Sequence, residues 1–245
     1  MNMRQIDEMY KEYGSLKVNQ NIHISIKHKF VFIPVPKTGS TTLKKVFQSI
    51  EMRELKRKWI KPHPLPEHSP FIKPYQLQRE QLSDILKSSE YVKFTFARNP
   101  YHRLYSAWRD KIHGNRAEKA QILKARQLDP ENLEQDISFS EFIETIQTID
   151  KYKLDPHWSP QYHEIFNERI KFDFIGKLER FDEDLSILAK MLKMPLASEV
   201  PEQPINNKSY GHKSTSSAYN SKDIRIATEL YAEDFSFFNY PTYRI

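Results

Sequence analysis

The spacing of apolar positions divides this chain into short strands followed by helices. Ile22, Ile24 and Ile26 alternate with His23, Ser25 and Lys27, the period of a half-buried strand, and Lys27-His28-Lys29 can turn it back onto Phe30-Val31-Phe32-Ile33. That second run is β-prone and ends at Pro34 and Pro36, which a sheet ladder tolerates poorly. Leu43, Val46, Phe47 and Ile50 then fall on one face of a helix predicted from 43 to about 57, with Ser40 or Thr41 as its cap. Gln78–Ser88 reads as a helix and residues 91–97 as a second buried strand. Asn99 and Pro100 open another helix, whose Tyr101, Leu104, Tyr105, Trp108 and Ile112 share a side. Residues 171–176 read as a third core strand, residues 140–149 and 181–192 as amphipathic helices, and 221–238 as a closing helix.

Two stretches break the pattern. Residues 1–20 read as a polar lead-in with room for a short helix, and 114–136 as a surface excursion whose residues 117–128 would form an exposed helix. The proline-rich 61–74 and the Pro- and Asn-rich 195–211 read as connections. No repeat interrupts the alternation of strands and helices, so the expected fold is α/β with a mainly parallel central sheet flanked by helices, and 1–245 as a single domain. A ligand then belongs at the carboxyl ends of the strands, where 37–42 and 98–100 both fall.

Composition narrows the chemistry. The 245 residues include 38% hydrophobic and 13% aromatic side chains, enough for a folded core. A net charge of +6 favours anionic partners only weakly. With no cysteine, disulfides, thiolate nucleophiles and cysteine-bound zinc are excluded. The first residues lack the apolar core of a signal peptide, and no run is long enough to span a bilayer, so a cytoplasmic protein is the expectation.

Candidate chemistry concentrates at the turn Lys37-Thr38-Gly39-Ser40-Thr41-Thr42. Unpaired N–H groups at a helix start suit a phosphate or sulfate, Lys37 adds a full charge and the hydroxyls add donors. Gly39, one of only 5 glycines, would allow close approach of backbone to ligand. An ordinary strand-to-helix turn is the plain alternative. In the second loop, Arg98 can grip a phosphate in bidentate fashion. Ser106 would point away from the apolar side of its helix, beside that anion.

Residues 36–42, followed some sixty positions later by Phe96-Ala97-Arg98-Asn99-Pro100-Tyr101-His102-Arg103-Leu104-Tyr105-Ser106, resemble the sulfotransferases that use 3′-phosphoadenosine 5′-phosphosulfate (PAPS). The likeness is to the carbohydrate branch, with its chondroitin, HNK-1 and heparan 2-O enzymes and bacterial relatives. It continues at His157-Trp158-Ser159-Pro160-Gln161, at 172–179 and in the terminal helix, in pieces from about residue 28 to 240. Ala97, where the family often has valine, and the proline-rich 61–74 depart from it.

The resemblance implies a three-layer, P-loop-like fold and transfer of a sulfuryl group from PAPS to a hydroxyl, on a carbohydrate acceptor. Residues 37–42 would cradle the 5′-phosphosulfate, with Lys37 catalytic, and Arg98 with Ser106 the 3′-phosphate. Lys213, Ser214 and Thr215 are similar to a loop that reaches back to the nucleotide. The acceptor base would be His68, preferred by its offset from Arg98, or His63, with His157 and Trp158 walling the substrate. No metal is required, because a sulfuryl group carries less charge than a phosphoryl group. The rivals are a nucleotide-dependent kinase of related fold and a non-catalytic polyanion-binding module. The kinase is disfavoured because the loop has one glycine and Lys37 precedes it, unlike G-x-x-x-x-G-K-[ST]. No aromatic-basic motif supports nucleic-acid binding. The acceptor's identity and the oligomeric state are left open.

Overall fold

The computed structural model describes residues 2–53, 69–200 and 215–243. They fall into two compact units, drawn from Met1–Ala97 with Ile165–Ile205, and from Arg98–Glu164 with Asn206–Ile245.

The first unit is built on a four-stranded sheet. Strand β1 (His23–Ser25) runs antiparallel to β2 (Phe30–Phe32), and β3 (Val92–Ala97) and β4 (Phe174–Lys177) continue it in parallel, in the order β1-β2-β3-β4. Every residue of β1 and β2 is buried, His23 and Ser25 included, so the half-buried first strand expected from its alternation is covered on both faces. On one face Phe30, Phe32 and Phe94 meet Phe47 of helix α3 (Ser40–Met52), with ring centroids 4.9–5.8 Å apart. Phe96 meets Phe181 of the helix Phe181–Leu192 on that same face. On the other face Val31, Ile33 and Thr95 are also fully buried. This is the doubly covered, mostly parallel sheet expected of an α/β fold.

The polar lead-in is instead two helices of this unit, α1 (Met3–Tyr13) and α2 (Ser15–Asn21). Asn2 and Gln5 close a capping box, and Ile6, Met9 and Tyr13 form a buried stripe at spacings of three and four. That stripe is only three residues wide, so the mean polarity of the segment hid it. Helix α4 (Arg79–Lys87) falls where the pattern put it.

The second unit is helical. Its core gathers Tyr101 and Leu104 of α5 (Pro100–Ala107), Ile122 and Leu123 of α6 (Ala120–Ala125), and Phe142, Ile143 and Ile146 of α7 (Phe139–Thr148). The helices Ser221–Leu230 and Ala232–Phe237 complete it. The expected excursion over 114–136 is therefore corrected: Ile122 and Leu123 have no exposed surface, and Lys119 Nζ donates to the Leu133 carbonyl at 2.6 Å and to Asn115 Oδ1 at 2.7 Å. Two adjacent apolar residues anchor an otherwise polar segment. The single closing helix is likewise two, because the chain leaves helical dihedrals at Tyr231 (φ −108°, ψ 26°).

Candidate active site

The first unit places Lys37–Thr42 at the carboxyl end of β2. Sheet pairing persists one residue past the strand, where the Ile33 N–H donates to Phe94 O at 3.1 Å, and then Pro34 and Pro36 stop it. Thr38 is buried and its hydroxyl donates to the Val35 carbonyl at 2.9 Å, so it closes the turn from inside. Lys37 (φ 71°) and Gly39 (φ 81°, ψ 11°) both lie in the left-handed region, which a lysine enters only at a cost of about 1–2 kcal/mol. Such strain is held by the surrounding structure and clusters at ligand sites.

Gly39, and neither Ser40 nor Thr41, is the N-cap of α3, and no side chain accepts from the first amides of that helix. A 13-residue helix thus presents its positive end at this turn, with Lys37 half-buried beside it in sequence, Ser40 buried, Thr41 exposed and Thr42 partly exposed. A Cβ on Gly39 would come within 2.9 Å of Leu178 Cδ1. The left-handed φ favours glycine here, and the end of the Leu178 side chain lies against it. The arrangement fits an anion such as a phosphosulfate.

A buried lysine and histidine meet in the same unit. His23 stands opposite Phe32, the last residue of β2. Lys73, buried, places Nζ 2.9 Å from the Gln20 carbonyl and 3.0 Å from His23 Nδ1. Burial, and then the charge of Lys44, push the Lys73 amine down to about 7; burial alone pushes Lys44 to about 8. Because the folded state binds the Lys73 proton less tightly than the unfolded chain does, burial of the ammonium destabilises the fold below about pH 7, and the penalty fades as pH rises towards 10.5. Wild-type stability therefore rises with pH across that window, and the Lys73→Met variant lacks this component of the slope. Urea unfolding of both proteins at a series of pH values measures it; parallel pH profiles would refute the assignment.

The second unit begins at Arg98, the residue that follows β3 in the chain. As expected, Asn99 caps α5: its side chain accepts from the N–H groups of Tyr101 and His102, and Pro100 occupies the first turn. Arg98 is 5% exposed. Ser106, expected on the open side of the helix, is buried (6%), because α5 is enclosed nearly all round: His102, Arg103 and Ala107 are buried as well as Tyr101 and Leu104. The 100° rule located the apolar stripe but not what covers the other faces.

Gln161 ties this corner together. Its Oε1 accepts from the Arg98 N–H (2.9 Å) and its Nε2 donates to the Arg98 carbonyl (2.8 Å), while Asp234 accepts from Gln161 and Tyr162. Arg103, 1% exposed, donates to the carbonyls of Ser159 and Pro156, each at 2.7 Å. The sequence reading stopped one motif short of this network: it quoted His157–Gln161 but chose the first two residues.

Trp158 has no exposed surface; its Nε1 donates to Gln121 Oε1 at 3.0 Å, and its carbonyl accepts from the Tyr231 hydroxyl. His157 is partly exposed, with Nδ1 2.7 Å from Asp155 Oδ1. Thr215 is 1% exposed. His63, His68, Lys213 and Ser214 lie outside the described residues. Among the described residues no helix is long and apolar enough to cross a membrane, and no group of three His, Asp or Glu side chains is disposed to hold a metal.

The fold is that of an α/β protein with a mostly parallel sheet, in which the turn at 37–42 follows β2 and Arg98 follows β3 in the chain. The sulfotransferase family model matches residues 20–241, and the chain belongs to that family. It is 27% identical over 237 residues to carbohydrate sulfotransferase 14 of Danio rerio, covering 91% of this chain and 62% of that protein. It is 26% identical to the Homo sapiens protein of the same name, over 91% and 60% of the two chains. Carbohydrate sulfotransferase 12 of Mus musculus is 25% identical over 96% and 63%. The chain thus spans about 60% of the length of these relatives. No solved structure matches it.

Proposed function

We propose that this chain transfers a sulfuryl group from PAPS to a hydroxyl of a carbohydrate. The observation that carries the reading is the turn at 37–42: a helix that starts at a left-handed glycine with no side-chain cap, next to a lysine held at positive φ. Lys37 and the first amides of α3 hold the 5′-phosphosulfate, and Arg98 with Ser106 holds the 3′-phosphate. The acceptor oxygen attacks sulfur, the bond from sulfur to the bridging phosphate oxygen breaks, and that oxygen keeps the electron pair. Lys37 and the amides stabilise the charge that develops there. The hydroxyl proton passes to a base, for which His68 and then His63 are the candidates. The relatives' names support a carbohydrate acceptor.

Calorimetric titration with the desulfated product, 3′-phosphoadenosine 5′-phosphate (PAP), run in parallel with ATP and Mg²⁺, tests the donor. Micromolar, metal-independent binding of PAP is expected. A preference for ATP with Mg²⁺ would overturn the reading in favour of a kinase.

A further inference from the structure

The geometry points to Gln161 as a positioning residue for Arg98: its carboxamide, locked by Asp234, fixes the backbone from which Arg98 reaches the donor's 3′-phosphate. The inference rests on the role proposed above for Arg98.

Three observations carry it. First, the pairing of β3 with β4 ends at Ala97 opposite Lys177, so the next residue, Arg98, has left the ladder. Both of its backbone groups are taken over by one side chain, the N–H by Gln161 Oε1 at 2.9 Å and the carbonyl by Gln161 Nε2 at 2.8 Å. Two bonds to one residue leave its peptide planes little freedom, and any tilt at Cα is magnified at the end of an arginine side chain. Second, Gln161 and Asp234 have no exposed surface, so no water substitutes for a lost bond.

Third, the carboxamide has two orientations related by a half turn, and Asp234 permits only one. Its Oδ2 accepts from Gln161 Nε2 at 3.2 Å and from the Gln161 N–H at 2.9 Å, and its Oδ1 from the Tyr162 N–H at 2.8 Å. Flipping the amide would turn Oε1 onto a carboxylate and the Arg98 carbonyl, acceptors facing an acceptor. Burial raises the pKa of Asp234, and these N–H donors, with the nearby charge of Arg103, oppose that rise. Asp234 also serves as a cap for the short turn Gln161–Glu164, from 73 residues away.

The experiment compares PAP with adenosine 5′-phosphate, which lacks the 3′-phosphate, by calorimetry on the full chain. Wild type, Gln161→Leu, Arg98→Ala and the double variant are each checked for folding by circular dichroism. Gln161→Leu is expected to reduce the preference for PAP by about tenfold or more while leaving the affinity for adenosine 5′-phosphate within about twofold. In the Arg98→Ala background it is expected to change nothing further. If Gln161→Leu does not fold, Asp234→Asn is read instead. It keeps the volume but has one acceptor oxygen for two sides, so its NH2 must face an N–H of Gln161 or of Tyr162 and loosens the hold on Gln161, and the same selective loss is expected. Equal loss of both nucleotides, or an effect that adds to that of Arg98→Ala, would overturn the inference and leave Gln161 a fold residue only. A wild type that does not distinguish the two nucleotides would overturn the role of Arg98 as well.

Discussion

Replacing Lys37 with alanine is expected to lower kcat by about 10²–10³-fold, with a smaller loss of PAP affinity. The reason is where charge develops. On the proposed reading the ground-state phosphosulfate would be shared among the loop amides and the helix dipole, whereas in the transition state the bridging oxygen gathers the electron pair and a lysine beside it would gain most. The left-handed φ of 71° at this position complicates a simple alanine exchange, because alanine is strained there too. Lys37→Asn removes the charge while tolerating positive φ better. It should fold at least as well as Lys37→Ala and turn over as slowly. Single-turnover transfer of labelled sulfate, with a thermal melt of each variant, measures both. Turnover that recovers in Lys37→Asn would assign the loss to backbone strain and remove Lys37 from the chemistry.

Arg98→Ala should weaken PAP by about 10–100-fold, the worth of charge-assisted hydrogen bonds to an anion, and leave adenosine 5′-phosphate nearly unaffected. Arg98→Lys should recover only part of the loss, since an ammonium cannot reproduce a two-pronged contact with phosphate oxygens. Arg98 is 5% exposed, so the loss should survive raised salt better than that of a surface ion pair would. Calorimetry at two salt concentrations reads this. Equal weakening of both nucleotides would mean that Arg98 supports the fold and not the 3′-phosphate.

The elements that were legible are those whose signal is local. Phe30–Ile33 closed by two prolines, and Asn99-Pro100 at a helix start, each contain within a few residues the β-propensity, missing donor or capping oxygen that shapes them. The anion turn was legible for the same reason, since a lysine, a glycine and a helix start adjoin in the chain. The cap was misassigned because a hydroxyl at a helix start and a glycine in the left-handed region satisfy the same local pattern. The left-handed backbone at Gly39 (φ 81°, ψ 11°) distinguishes them. The lead-in and 117–128 read as polar because the few apolar residues they bury, Ile6, Met9 and Tyr13 in one and Ile122 and Leu123 in the other, are outnumbered by polar neighbours.

Sequence alone thus determined the alternation of strands and helices, the parallel sheet, the residues of the anion turn and the family resemblance, because each is encoded in neighbouring residues or in motif spacing. Tertiary structure alone decided that Ser106 and Trp158 are enclosed, that Lys44 and Lys73 lose solvent, and that Gln161 and Asp234, 73 residues apart, meet at Arg98. Burial and hydrogen-bond partnership are properties of what packs around a residue. No period or spacing in its own segment carries that information.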